Sequence, residues 1–232
     1  MILPIILSAL IGIAHYASNN LCLACSKLKK QAISLVAGIS IAYLFLNLYP
    51  EFYKQARNLS PFMITSVFLG FAVFHVIDKE IYQKFRPPEV KEDIVLAHGI
   101  GLALYYIVIG IVLVRLLSIS TKEGVLFFIP VFIYAALSAL SSHGIHGMHG
   151  PHYYIIVHLN LIQSACIVGG AIIALFYSIP EISLVYLTGI VAGILTYVVV
   201  RDMLPQGKKG KPLLFILGAL IYLLLTAILW AV

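Results

Sequence analysis

His143, His146, His149 and His152 stand at every third position of Ser-Ser-His143-Gly-Ile-His146-Gly-Met-His149-Gly-Pro-His152, and they are half of the eight histidines in the chain. Neutral imidazoles are good ligands for Zn²⁺, Ni²⁺ and Cu²⁺. Gly144, Gly147, Gly150 and Pro151 make this stretch a turn between helices, so the four rings can wrap one ion. With no carboxylate or thiolate beside them, they suit a weak collecting site better than a tight structural one. The competing reading is a polar hairpin whose imidazoles gain charge below neutral pH and keep the loop in water.

Other polar residues lie in strongly apolar surroundings: His15, Asn47, His75, His98, His158, Asn160, Gln163 and Asp202. Burying such groups in hydrocarbon is costly unless they are paired, so each is a functional candidate. His98 and His158 are expected nearest the membrane midplane and form the candidate intramembrane metal pair. Asn47 and Gln163 are the candidates for lining a transport pathway. His158 and Gln163 lie about 140° apart around a helix, and Asn160 about 200° from His158, so the three cannot share one pore. The plainer role for each is a hydrogen bond to a neighbouring helix.

The elements that must position these groups follow from composition. Hydrophobic residues make up 62% of the 232 residues and charged ones only 10%, with a mean hydropathy of +1.04, which is far from a soluble domain. A membrane-crossing helix takes roughly 20 apolar residues. Eight such spans are expected, at about 2–25, 31–53, 60–82, 94–118, 124–142, 153–178, 182–203 and 212–232. They give an all-α membrane protein with a single integral domain over residues 1–232 and the lipid bilayer as its partner. The first span reads as a mature helix and not a signal peptide, because it lacks a basic start and carries His15, Ser18, Asn19 and Asn20. Cys22, Cys25 and Cys166 form neither a disulfide framework nor a zinc ribbon.

Basic residues orient the spans. Lys27, Lys29, Lys30, Lys79, Lys84, Arg86, Lys91, Arg201, Lys208, Lys209 and Lys211 fall on one side, and Lys54, Arg57, Arg115 and Lys122 on the other. By the positive-inside rule both termini then face outward, and the cell membrane is the expected location. The net charge of +6 reads as an orientation signal against anionic lipid, with no nucleic acid implied.

An internal repeat relates the second and seventh spans. Leu35-Val-Ala-Gly38-Ile…Leu48-Tyr-Pro50 aligns with Ile190-Val-Ala-Gly193-Ile…Met203-Leu-Pro205, each proline standing twelve residues after the glycine as a helix-ending residue. The two copies run in opposite directions, so spans 1–3 and 6–8 are expected to form an inverted repeat around spans 4 and 5, a 3+2+3 order, and inverted repeats are a common way to build alternating access. Gly99, Gly101, Gly169, Gly170, Gly189 and Gly193 provide close helix contacts. Pro130 inside span 5 suggests that this helix borders protein or a watery cavity.

This order of features resembles the ZIP (Zrt/Irt-like) metal transporter family. The residues that carry the resemblance are Asn47-Leu-Tyr-Pro-Glu51, Gly70-Phe-Ala-Val-Phe-His-Val-Ile-Asp78-Lys-Glu80 and Gly193-Ile-Leu-Thr-Tyr197…Asp202-Met-Leu-Pro205. It implies transport of a divalent metal ion as substrate, with Zn favoured and Ni, Mn, Fe or Cu as further cargo. The family's span 4 and span 5 ligands are largely missing. Span 4 has His98-Gly-Ile-Gly-Leu102, with leucine where an acid is expected, span 5 has neither histidine nor carboxylate around Pro130, and Ile167 holds the acidic position of span 6.

A non-enzymatic carrier with a reduced midplane site and a histidine-rich cytoplasmic loop is therefore the leading expectation. The alternatives are a haem b protein with His98 and His158 as axial ligands, and a ZIP-fold protein that no longer transports metal. An intramembrane hydrolase fits worst, since no span carries a catalytic carboxylate at depth. A homodimer is among the assemblies this reading allows.

Overall fold

The computed structural model describes the backbone of residues 2–24, 29–84, 92–141, 151–204 and 210–231. Among them are nine α-helices and no strand: α1 (Ile2–Ala24), α2 (Lys29–Tyr43), α3 (Tyr49–Leu59), α4 (Thr65–Lys84), α5 (Glu92–Ile119), α6 (Thr121–Ser141), α7 (Pro151–Phe176), α8 (Glu181–Val198) and α9 (Pro212–Ala231). A π-helical turn, Leu44–Leu48, joins α2 to α3, and a second, Val199–Met203, ends α8. Five stretches are long and apolar enough to cross a bilayer: Gln31–Leu59, Gly101–Ile119, His158–Phe176, Glu181–Arg201 and Pro212–Ala231. Ile2–Ser18 and Pro61–Ile77 are apolar but shorter over the described residues. The chain is an all-helical integral membrane protein.

One boundary departs from expectation. Pro50 does not end its helix, which continues to Leu59. The proline follows the π-turn and sits in the first turn of α3, where a missing N–H and a fixed φ are tolerated. The chain then stops at Ser60, whose side chain accepts the Phe62 N–H at 3.3 Å and caps the short 3₁₀ turn Pro61–Ile64.

Three helix pairs meet through the same contact. Gly38 of α2 lies against the Phe215 carbonyl of α9, and Gly218 of α9 against the Leu35 carbonyl. Gly193 of α8 meets the Val67 carbonyl of α4, and Gly70 that of Ile190. Gly110 of α5 meets the Ile167 carbonyl of α7, and Gly170 that of Ile107. In each pair a glycine rests on the carbonyl three residues before its partner glycine, and a β-carbon there would overlap the oxygen. Small residues are how membrane helices approach, because lipid is as apolar as leucine and only close packing favours association.

The first two pairs are built alike. Moving 155 positions takes Leu35 to Ile190, Gly38 to Gly193 and the π-turn Leu44–Leu48 onto Val199–Met203; moving 148 takes Val67 to Phe215 and Gly70 to Gly218. Both pairs are parallel. Ser34 of α2 and Asn47 of the π-turn that follows it bond respectively to Lys211, just before α9, and to Thr226 near the end of α9. On the other side Ser66 lies at Gly189, and Phe71 packs on Tyr197 with centroids 5.4 Å apart. Helices α5 and α6 lie between these pairs, their buried Ile109, Leu113, Leu126 and Phe127 packing with Tyr43, Leu44 and Val191.

Candidate functional site

Two buried polar clusters occupy the interior. In the first, α1, α5 and α7 meet at His15, which is 6% exposed. Its Nε2 is 3.0 Å from Gln163 Oε1, and its Nδ1 is 2.9 Å from the Tyr106 hydroxyl. An amide oxygen only accepts, so Nε2 carries the proton and Nδ1 accepts from Tyr106. Gln163 Nε2 in turn donates to the Gly99 carbonyl at 3.2 Å. The relay thus runs in one direction, from the Tyr106 hydroxyl through the imidazole and the amide to the backbone of α5. Gly12 lets α1 close on the Ser164 carbonyl of α7, which brings His15 within reach of Gln163.

The second cluster centres on the π-turn Leu44–Leu48. Asn47 is 3% exposed; its Oδ1 accepts from Thr226 Oγ1 at 3.4 Å, while its buried Nδ2 has no partner among the described residues. One turn earlier Tyr43 packs against Phe127 and Tyr222, with centroids 6.0 Å away in each case, and the Tyr222 hydroxyl donates to the Leu126 carbonyl at 3.2 Å. Tyr49 and Thr196 join their hydroxyls at 2.6 Å. The Tyr105 hydroxyl is also buried with no partner among the described residues. A π-turn carrying a buried, half-satisfied amide is the kind of irregularity that membrane helices keep at working sites.

Charged groups gather at the end of the molecule where α3 and α5 finish and α6 and α8 begin. Arg115 bonds Glu181 at 3.0 Å, and Gln55 donates to Glu51 at 2.8 Å. Burial raises the Glu123 carboxyl above the usual range, repulsion from Glu51 adds to the rise and Lys54 opposes it.

Both pathway candidates are buried, in different clusters: Gln163 with His15 and Tyr106, Asn47 with Thr226. His158 stands at an exposed position of α7. His98 belongs to α5, next to the Gly99 whose carbonyl Gln163 holds, with its side chain outside the described part of the structure. His143, His146 and His149 lie outside the described residues, as does the side chain of His152 in the first turn of α7. His75 is exposed and stacks on Phe71 with centroids 6.3 Å apart. Among the described residues no three His, Cys, Asp or Glu side chains converge as metal ligands would.

Sequence reasoning missed Tyr106 and Thr226. Tyr106 follows another tyrosine in an apolar run and carries no local signal. Thr226 had one: with Tyr222 four residues earlier it forms the only pair of hydroxyls on one face of an otherwise apolar final helix. No protein-family model matches the chain, and no curated protein matches it significantly.

Proposed function

We propose that the chain is a ZIP-like carrier that moves a divalent metal cation across a cell membrane. In this reading it has eight spans in 3+2+3 order, with both termini outside and spans 1–3 and 6–8 as an inverted repeat. The observation that carries it is the match of α2 and α9 with α8 and α4, down to the reciprocal glycines and the two π-turns. Successive spans reverse direction, so span 2 and span 7 cross the bilayer oppositely, while the parallel pairing of α2 with α9 and α4 with α8 is what even-with-even and odd-with-odd spans require. Inverted pairs of this kind support alternating access, each half taking in turn the shape of the other.

The metal part of the reading rests on residue chemistry. His98 and His158 form the reduced midplane pair, and His143, His146, His149 and His152 are receiving ligands at the cytoplasmic mouth. Imidazole suits Zn²⁺ and also Ni²⁺, Fe²⁺ and Cu²⁺. Gln163 acts as a positioning residue, since its bond to the Gly99 carbonyl fixes the turn of α5 that bears His98. Asn47 offers a donor on the other cluster that has no partner among the described residues.

The test is metal uptake by vesicles containing the full-length protein and a trapped metal-sensitive dye, assayed with Zn²⁺ first. His98→Ala is expected to abolish uptake and His149→Ala only to weaken it. Equal, unimpaired uptake in both variants sinks the assignment. A Soret band in the purified protein replaces it with the haem reading.

A further inference from the structure

A column of buried hydroxyls runs inward from the charged end of the molecule to His15. Glu123 stands in the first turn of α6, within electrostatic reach of Tyr43 and Tyr222. Tyr43 lies within the same kind of reach of Tyr105, and Tyr105 packs beside Tyr106 with ring centroids 5.7 Å apart. The Tyr106 hydroxyl then donates to His15 Nδ1 at 2.9 Å. Tyr43, Tyr105 and Tyr106 are at most 3% exposed and share one core. Two groups along the column, the Tyr105 hydroxyl and Asn47 Nδ2 one turn beyond Tyr43, are buried with no partner among the described residues. Phenylalanine would fill the tyrosine positions without leaving a hydroxyl to satisfy. Buried polar groups of this kind are met by water held between several of them.

The two ends of the column differ. Glu123 is half-buried and is faced by Glu51 and Lys54 of α3, Tyr43 of α2 and Tyr222 of α9. His15 is faced by Tyr106 of α5 and Gln163 of α7; α6, which also packs on α1, carries Tyr134 as its titratable residue beyond Glu123. Its Nε2–H ends on the Gln163 amide oxygen, and a carboxamide has no proton of its own to pass on from that oxygen. The imidazole can therefore be loaded from the Tyr106 side and cannot leak past Gln163. His15 is thirteen residues from the start of α1, and Tyr106 thirteen from the end of α5. At 1.5 Å per residue each lies about 20 Å in, two thirds of the way across a hydrocarbon core of about 30 Å.

We infer that His15 is the proton-binding residue of the carrier, loaded from the outer face through Glu123, Tyr43, Tyr105, Tyr106 and bridging water, so that one proton enters with each metal ion. The Glu123 carboxyl gives its proton inward and regains one from outer water. Each hydroxyl of the column accepts one proton and passes on its own, and Tyr106 delivers to Nδ1, which turns the neutral imidazole into imidazolium. Every hydroxyl ends as it began, and the net change is one proton moved from outer water to His15. It leaves inward when α1 parts from α7 and the Nε2–H loses the Gln163 oxygen. Proton and cargo load from the same face, so the two move together. This deepens the carrier reading and rests on it.

The test places the full-length protein in vesicles holding a metal-sensitive or a pH-sensitive dye, with equal K⁺ and valinomycin to clamp the potential. With Zn²⁺ outside, an acid-outside gradient of about one pH unit is expected to raise steady accumulation about tenfold, the factor one coupled proton supplies, and metal entry acidifies the lumen. Tyr106→Phe and His15→Asn bring that factor within about twofold of unity and abolish the acidification. Tyr16→Phe, at an exposed tyrosine of the same helix as His15, changes neither. Accumulation that ignores the gradient, or a gradient effect that survives in both variants, overturns the coupling and leaves the carrier standing. A parent protein that takes up no Zn²⁺ overturns the carrier and the coupling together. The path itself is read without metal, by deuterium exchange at the His15 Nε2–H in nitrogen-15 histidine-labelled protein, as the imidazole signal that His15→Asn lacks. Tyr105→Phe is expected to slow that exchange about tenfold or more; equal exchange in parent and variant overturns the path.

Discussion

The α2/α9 and α4/α8 pairs share a backbone crossing and differ in their side chains. Each is pinned by two glycines resting on carbonyls, and in each a π-turn follows the crossing. On that common frame one pair carries Ala42, Ala219 and Leu223 where the other carries Tyr197, Phe71 and His75. The positions that match Asn47 and Thr226 are those of Asp202 and Asp78. The lesson is a division of labour: glycines set how closely the helices approach, and the residues around them are free to make one edge a groove and the other a filled aromatic face.

If the frame is common, damage to it must be common too. Gly38→Ala and Gly193→Ala each drive a methyl group into a neighbouring carbonyl, and each is expected to lose about 2–3 kcal/mol, at the upper end of overpacking costs. Unfolding of the purified protein in detergent should show the two losses agreeing within about 1 kcal/mol; a neutral result at one site refutes the equivalence of the pairs. A smaller effect separates the two polar clusters. Gln163→Leu removes both the acceptor of the His15 Nε2–H and the amide donor to the Gly99 carbonyl and costs about 1–2 kcal/mol. Asn47→Leu removes a donor that has no partner among the described residues, leaves Thr226 able to bond back within its own helix, and stays within about 0.5 kcal/mol. Loss of uptake in Asn47→Leu without loss of stability is the signature of a working residue, and a matched loss of both in the same melts and uptake assays marks it as structural.

The smallest effect is the pH dependence at the charged end. Glu123 has a raised pKa in the folded protein, so its contribution is fully present below the unfolded value near 4.5 and is lost as pH rises through the folded value. Glu123→Gln is therefore expected to gain stability over the parent above that window and to lose its advantage below it. Parallel melts of the two proteins between pH 4 and pH 8, about the range over which a raised carboxyl titrates, check the sign.

Much of the frame was legible in the sequence, because a membrane helix must be long and apolar and because Val-Ala-Gly-Ile recurs around Gly38 and Gly193 at a fixed distance from a proline. Which helices pair was not legible. Helices α4 and α9 share little beyond Gly70 and Gly218, and contacts such as Ser34 with Lys211 span 177 positions. The π-turn was hidden by Pro50, which reads as an end but serves as the start of α3. His15 and Gln163 were each visible as buried polar groups, yet their meeting depends on tertiary packing across 148 positions, and Tyr106 of α5, which bonds His15, gave no signal. His158 was placed near the midplane on depth alone, and depth says nothing of which way a helix turns its face.

In the proposed topology a half-turn about an axis in the membrane plane exchanges the two helix pairs. To the machinery that threads nascent helices into a bilayer, such a chain presents almost the same hydropathy profile either way up. In that topology the six lysines around the starts of α2 and α9 (Lys27, Lys29, Lys30, Lys208, Lys209 and Lys211) make the choice. Without those six, five basic residues (Lys79, Lys84, Arg86, Lys91 and Arg201) face four (Lys54, Arg57, Arg115 and Lys122) across the membrane, too even a balance to hold one orientation. Newly made molecules would then insert both ways, and a one-directional population would become a mixed one without any change in the folded body.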